Sequence, residues 1–178
     1  TALEGGQREP CVIYFPSKIK SGRTLSTPMM TIDLLPTIAE ITGSQLPEKK
    51  IDGKSVWNIW TGETEESPHE AYYFYYKSNE LHGVRYKNWK LYFPHSYRTL
   101  IGREAGADAF PVNYEMLNFN EIALYDLSKD ISETNDIASE NPKIVAKIKI
   151  LADEMRYELG DRLYAIEGSE NRPIGRVE

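Results

Sequence analysis

The chain has a single cysteine and only three histidines among 178 residues, and each scarcity removes a class of protein. One thiol excludes an internal disulfide, so Cys11, at the head of Val12-Ile13-Tyr14-Phe15, reads as a buried, inert side chain. His69, His82 and His95 are scattered without a second ligand at metal spacing, which leaves no histidine-built metal centre in the pattern. No apolar run approaches the roughly 20 residues that a membrane-spanning helix needs. Repeats and low-complexity stretches are absent. Basic residues are the minority, 21 against 27 acidic ones, and a net charge of −6 argues against general nucleic-acid binding while leaving room for local basic pockets that take anions.

What is present is ordinary soluble-domain composition with an uneven distribution of elements. Cys11 to Pro16 reads as a buried strand, followed by a polar turn-rich loop to Arg23. Asp33 is placed to cap a helix that carries Leu34, Ile38 and Ile41 at helical spacing, has Pro36 in its first turn and is closed by Gly43. Thr61 to His69 is acidic and broken by Gly62 and Pro68, which marks a subdomain boundary and predicts domains over 1–62 and 63–178. Beyond it the period changes to 2. Ala71 to Tyr76, Leu81 to Tyr86, Trp89 to Phe93 and Ile122 to Leu127 are aromatic or β-branched runs of strand length, predicting a four-stranded antiparallel sheet. Lys87-Asn88 is a tight hairpin turn, with Asn88 the residue suited to positive φ. Asn141-Pro142 opens a long helix with Ile144, Ile148, Leu151, Met155 and Leu159 on one stripe and Gly160 at its end, expected to cover one face of that sheet in an α+β arrangement. The tail from Asp161, with Arg162, Arg172 and Arg176, reads as an arm.

Three blocks in this order resemble the sulfatase family. The first is Glu4-Gly5-Gly6-Gln7-Arg8-Glu9-Pro10 leading into an apolar strand. The second is Gly83-Val84-Arg85-Tyr86-Lys87-Asn88-Trp89-Lys90-Leu91-Tyr92-Phe93-Pro94-His95, continuing Ser96-Tyr97-Arg98-Thr99-Leu100. The third is Leu124-Tyr125-Asp126-Leu127 with Asp130, Glu133 and Asn135 following, where most relatives carry proline in place of Ile131. The resemblance implies the C-terminal portion of a sulfatase: the strand-helix end of a truncated α/β catalytic domain, then a small α+β subdomain.

For the parent enzyme it implies hydrolysis of a sulfate ester by a formylglycine nucleophile with calcium holding the sulfate. Neither group has a matching position here. Cys11 does not sit in Cys/Ser-x-Pro/Ala-x-Arg, and Ser26-Thr27-Pro28 continues without arginine. This segment is therefore expected to be inactive alone, to have the upstream catalytic domain as partner, and to expose apolar surface from Val12 to Phe15 that favours self-association. Substrates would be sulfated carbohydrates or aryl sulfates, and relatives suggest a periplasmic or extracellular site of action. His95 and Arg98 are the candidate substrate-binding residues, able to donate hydrogen bonds to a sulfate or to sugar hydroxyls. The competing reading pairs them with the acidic loop around Glu104 and Asp108. Asp126, Asp130 and Glu133 lack the dense alternating oxygens of a calcium loop and suit turns and caps. Outside enzymes, the alternative is a non-catalytic module that binds sulfated carbohydrate or other anions.

Overall fold

The computed structural model describes residues 1–104 and 106–172; Arg176 lies outside the described residues. The chain forms two compact units, one of residues 1–9 with 71–178 and one of residues 10–70.

The larger unit is built on a four-stranded antiparallel sheet in the order β1-β2-β3-β6, with β1 Ala71–Tyr76, β2 Glu80–Tyr86, β3 Trp89–Tyr92 and β6 Ala123–Asp126. These are the four runs expected from period-2 patterning. Strands β4 His95–Thr99 and β5 Glu115–Phe119 form a separate two-stranded hairpin. Helix α3, Pro142–Leu159, has Pro142 at its first position and Gly160 at its end with φ 81°, matching its sequence limits. Ile148, Leu151 and Ala152 from α3 pack with Ala71, Leu81, Val84, Leu91, Phe93 and Leu124 from the sheet. The opposite face carries Tyr92, Ala123, Tyr125 and Phe74, and it is covered by Ala2 and Leu3 from the start of the chain.

Leu81 and Val84 are three residues apart yet both face α3, which simple alternation forbids. The ladder explains it. Phe74 is opposite Gly83 and Tyr75 is opposite Leu81, so His82 is an extra residue in β2. Such a β-bulge bends the strand and re-aims the inserted side chain. Gly83 is required next to it, since a Cβ there would lie 2.8 Å from the Leu91 carbonyl oxygen. In the β2–β3 turn the positive φ belongs to Lys87, at 55°, and not to Asn88; the Asn88 carbonyl instead accepts from the Leu127 amide at 2.8 Å.

The expected arm also folds back. Gly160–Asp161 pairs with Ile166–Glu167 as β7 and β8. Buried Asp161 accepts from the Arg156 Nε at 2.9 Å and the Leu81 amide at 3.2 Å. Arg156 itself, buried in α3, is sandwiched between the rings of Phe93 and Tyr164 at 4.1 and 4.3 Å.

The smaller unit contains α1 Leu34–Thr42 and α2 Trp57–Thr61. Its core is Val56, Ile59 and Trp60, with Ile13, Ile19, Leu25, Met29 and Ile41 packed on it. Asp33 does not cap α1. Its buried carboxylate accepts from the Met30 amide at 2.9 Å, the Lys54 amide at 3.0 Å and His69 Nε2 at 2.8 Å. His69 is drawn inward by that contact. The inward side of α1 is Pro36, Thr37 and Ala39, while Leu34, Leu35 and Ile38 are exposed. The strand expected at residues 11–16 does not form. Val12 and Tyr14 are 94% and 87% exposed, and Cys11 is exposed rather than buried. A strand needs a ladder partner, and none pairs with this segment among the described residues.

Candidate functional site

Two side-chain constellations stand out, both in the larger unit. The first is the ring cluster at the base of the β4–β5 hairpin. The bulge turns His82 toward β4, where its imidazole stacks on His95 with centroids 3.8 Å apart and planes 26° from parallel. Both rings are buried. His95 Nδ1 donates to the Phe93 carbonyl at 2.7 Å, and His82 Nε2 donates to Glu80 Oε2 at 2.9 Å. These bonds fix the neutral tautomers, because an N–H is needed where the partner is a carbonyl or carboxylate. His82 Nδ1 is buried without a partner. Burial pulls the His95 pKa down to about 4, assisted by the neighbouring His82 and Lys77 and opposed by the Phe93 carbonyl and Glu80. His82 is lowered as well, chiefly by burial, with Glu80 pulling the other way. Both rings are therefore uncharged near neutral pH.

Arg98 follows His95 by three residues, so the strand puts the two side chains on opposite faces of β4. They remain connected through β1. Arg98 Nη2 donates to the Tyr76 hydroxyl at 2.7 Å, and the Tyr76 ring lies 5.7 Å from His82. Tyr114 stacks under the guanidinium at 5.2 Å, and Lys77 Nζ donates to the Ser96 carbonyl at 3.1 Å. The pairing with Glu104 and Asp108 is not formed; the salt bridge of this hairpin is Arg103 with Glu115. Arg98 is thus held by aromatic groups and faces solvent, with no acidic partner among the described residues. The neighbouring loop borders an open concavity of about 560 Å³ lined by Arg103, Glu104, Phe110 and Tyr114. Of the tyrosines in β1, Tyr73 and Tyr75 pack on the core and Tyr76 meets this cluster.

The second constellation was not legible in the sequence. Glu4, of the Glu-Gly-Gly turn, is buried against the sheet, with Oε1 2.6 Å from Lys90 Nζ. Glu133 Oε1 is 3.5 Å from the same ammonium and accepts from the Tyr92 hydroxyl, and its Oε2 accepts from the Glu4 amide at 2.7 Å. Arg8 Nε donates to Glu4 Oε2 at 2.8 Å, and Arg85 lies 3.7 Å from that oxygen. Burial alone would raise the Glu4 pKa; hydrogen bonds and charge from Lys90, Arg8 and Arg85 outweigh it, leaving Glu4 below the usual carboxylate value. Lys90 is lowered because burial outweighs the pull of Glu133 and Glu4. The network closes the three resemblance blocks onto one another, since Glu4, Lys90 and Glu133 come one from each. A glutamate 129 residues away from Glu4 carries no local pattern that would reveal the contact.

The remaining carboxylates of the third block do local work. Asp126 accepts from the Ser128 amide at 3.1 Å, and Asp130 accepts from the Thr134 and Asn135 amides at 2.8 Å each. Among the described residues no group of three or more His, Cys, Asp or Glu side chains is arranged to hold a metal ion, and no helix is long and apolar enough to cross a membrane.

Comparison with known proteins places these features. The family profile for the C-terminal region of aryl-sulfatase matches residues 67–171, and that for the C-terminal part of N-sulphoglucosamine sulphohydrolase matches residues 2–100. Human arylsulfatase A is 30% identical over 159 residues, covering 85% of this chain and 31% of the relative. Human steryl-sulfatase is 27% identical over 161 residues, covering 84% of this chain and 27% of the relative. The chain thus spans about a third or less of the length of these relatives. A solved structure described under the metabolism of multiple glycosaminoglycans by Bacteroides thetaiotaomicron superposes with a TM-score of 0.53 at 26% identity, over 70% of this chain and 24% of the other. A second, described as a complex with its substrate D-glucosamine-2-N,6-O-disulfate, superposes with a TM-score of 0.54 at 24% identity, over 80% of this chain and 26% of the other.

Proposed function

The chain belongs to the sulfatase family, as a C-terminal region, and on that premise we propose that it borders the substrate pocket of a sulfuric ester hydrolase and does not hydrolyse sulfate esters alone. In this reading residues 1–62 close the catalytic domain and residues 63–178 form the smaller subdomain. Formylglycine and calcium belong to the upstream part of the parent. The described residues offer no ligand set for the metal, and no step of the hydrolysis is assigned to them. Their contribution is recognition. Substrates are sulfate esters of carbohydrates or of aryl alcohols, and the parent acts in the periplasm or outside the cell, as the family resemblance suggests.

The observation that carries this reading is Arg98, a guanidinium held by the Tyr76 hydroxyl and the Tyr114 ring, with no carboxylate among the described residues against it. A planar donor fork of that kind suits a sulfate, and aromatic neighbours suit a sugar or aryl face. His95 supports it from beneath, packing the hairpin on the sheet. The exposed apolar stripe of α1 and the segment Val12 to Tyr14 are read as surface that the catalytic domain covers.

The test is steady-state turnover of a chromogenic aryl sulfate and a panel of sulfated sugars by the upstream-extended protein, with and without Arg98→Ala. Loss of one charge-assisted contact raises KM about tenfold or more on the preferred substrate and leaves kcat nearly unchanged. An unchanged KM across the panel would remove Arg98 from the site. Turnover by the 178-residue chain itself would overturn its inactivity, and tight sulfated-sugar binding without turnover in the extended protein would favour a non-catalytic module.

A further inference from the structure

The β4–β5 hairpin has no backbone ladder to the four-stranded sheet; side chains attach it. Phe119 stacks on Tyr92 at 4.9 Å and on Tyr97 at 4.9 Å, Lys77 reaches the Ser96 carbonyl, Arg98 reaches Tyr76, and at the centre His95 lies flat on His82. We propose that the stacked His82–His95 pair is an acid-sensitive latch, holding the hairpin on the sheet while both imidazoles are neutral and releasing it when either takes up a proton. This goes beyond the sulfatase reading and does not rest on it.

The geometry disfavours a second proton, most strongly on His82. On His82 it must add at Nδ1, which is buried and has no acceptor. On His95 it must add at Nε2, because Nδ1 already carries the hydrogen given to Phe93. The resulting cation is buried, so its lost hydration goes largely unreplaced, and a second protonation would set two like charges 3.8 Å apart. The surrounding groups offset this only in part. Glu80 beside His82 is an anionic neighbour in direct contact and Asp161 acts from farther off, while Lys77 opposes both. Tyr76, Tyr92 and Tyr97 present ring faces and edges. Because the attached state favours neutral rings, the detached state binds more protons. Attachment is therefore complete above the ordinary histidine value and is lost progressively as pH falls through the interval below it.

The experiment is NMR of the full chain from pH 7.5 to pH 4, following the imidazole signals together with amide exchange. Protection factors of β4 and β5 amides should fall by up to about tenfold per pH unit as pH drops from 6.5 toward 4, corrected for intrinsic exchange, while those of β2 and β3 hold. The doubly substituted His82→Gln, His95→Phe chain should lose that dependence. Flat hairpin protection in the unaltered chain overturns the latch. So does an equal fall in β2 and β3, which would mean that acid loosens the whole unit, and so does an unchanged pH dependence in the double variant. The unaltered chain alone decides the matter if that variant does not fold.

Discussion

Lys90 Nζ lies 2.6 Å from Glu4 Oε1 with the lysine side chain 0% and the glutamate 4% exposed, so a residue of the opening turn and a residue of a central strand share one dry ion pair. Removing Lys90 takes from the buried Glu133 side chain the ammonium 3.5 Å away and leaves Glu4 with Arg8 and Arg85. Lys90→Met should cost about 3–5 kcal/mol, measured by denaturant unfolding, because both Glu4 and Glu133 would then face each other across an apolar side chain. Adding Glu4→Gln and Glu133→Gln to Lys90→Met should recover part of that loss. No recovery would mean that packing by the lysine stem, and not charge, sets the cost.

Glu4 also fixes the sign of an acid dependence. Its folded pKa lies below its ordinary value near 4.5, because the contacts with Lys90, Arg8 and Arg85 overcome a burial effect that acts upward. The stabilisation is therefore fully present above the unfolded value and is lost as pH falls through it toward the lower folded value. Thermal unfolding followed below pH 5 should show a shallower acid decline in Glu4→Gln than in the parent chain, with the variant less stable at pH 7. Parallel declines would place the acid sensitivity elsewhere.

Gly53 gives a sharper steric prediction than Gly83. A Cβ at Gly53 would lie 2.0 Å from the Ile32 carbonyl oxygen and 2.7 Å from its carbonyl carbon. Backbone cannot swing aside as a flexible side chain can, and the next residue donates its amide to buried Asp33. Gly53→Ala should destabilise residues 10–70 by more than the roughly 1–3 kcal/mol of ordinary overpacking, and Gly83→Ala should fall within that range. Hydrogen exchange resolved to each unit checks both, and equal effects would refute the ranking.

The helix α1 presents Leu35 and Ile38, each 54% exposed, and apolar surface of this kind drives association. Sedimentation velocity across a hundredfold concentration range should show concentration-dependent self-association that Leu35→Lys with Ile38→Lys weakens. A chain that stays monomeric at the highest concentration would show that the stripe is too small to pair by itself.

Sequence reading located the four sheet strands and α3 because each is a contiguous signal: alternation for the strands, and proline, glycine and a stripe for the helix. It failed for Val12 to Phe15 because apolar content reports a need for burial without supplying the partner. It failed for the face of α1 for the same reason. His95 and Arg98 were nominated from one short block, and their neighbours followed only from folding. His82 is aimed by a bulge, Tyr76 and Tyr114 come from other elements, and the Glu4–Lys90–Glu133 network joins segments that no local window contains.

The extra residue at position 82 has a consequence for comparing this chain with others. Length changes are usually absorbed in loops, where they shift nothing else. Here one lies inside a paired strand, yet the ladder has already absorbed it: Phe74 is opposite Gly83 and Tyr75 opposite Leu81, so deleting residue 82 would leave Leu81 and Val84 two apart on the α3 face, with the phase unchanged. What would be lost is the local bend and the imidazole that the bulge aims at His95. A single-residue gap placed at this point in an alignment therefore keeps the core face and removes the ring on which His95 stacks, to be weighed like a substitution at that contact and not like a trimmed loop.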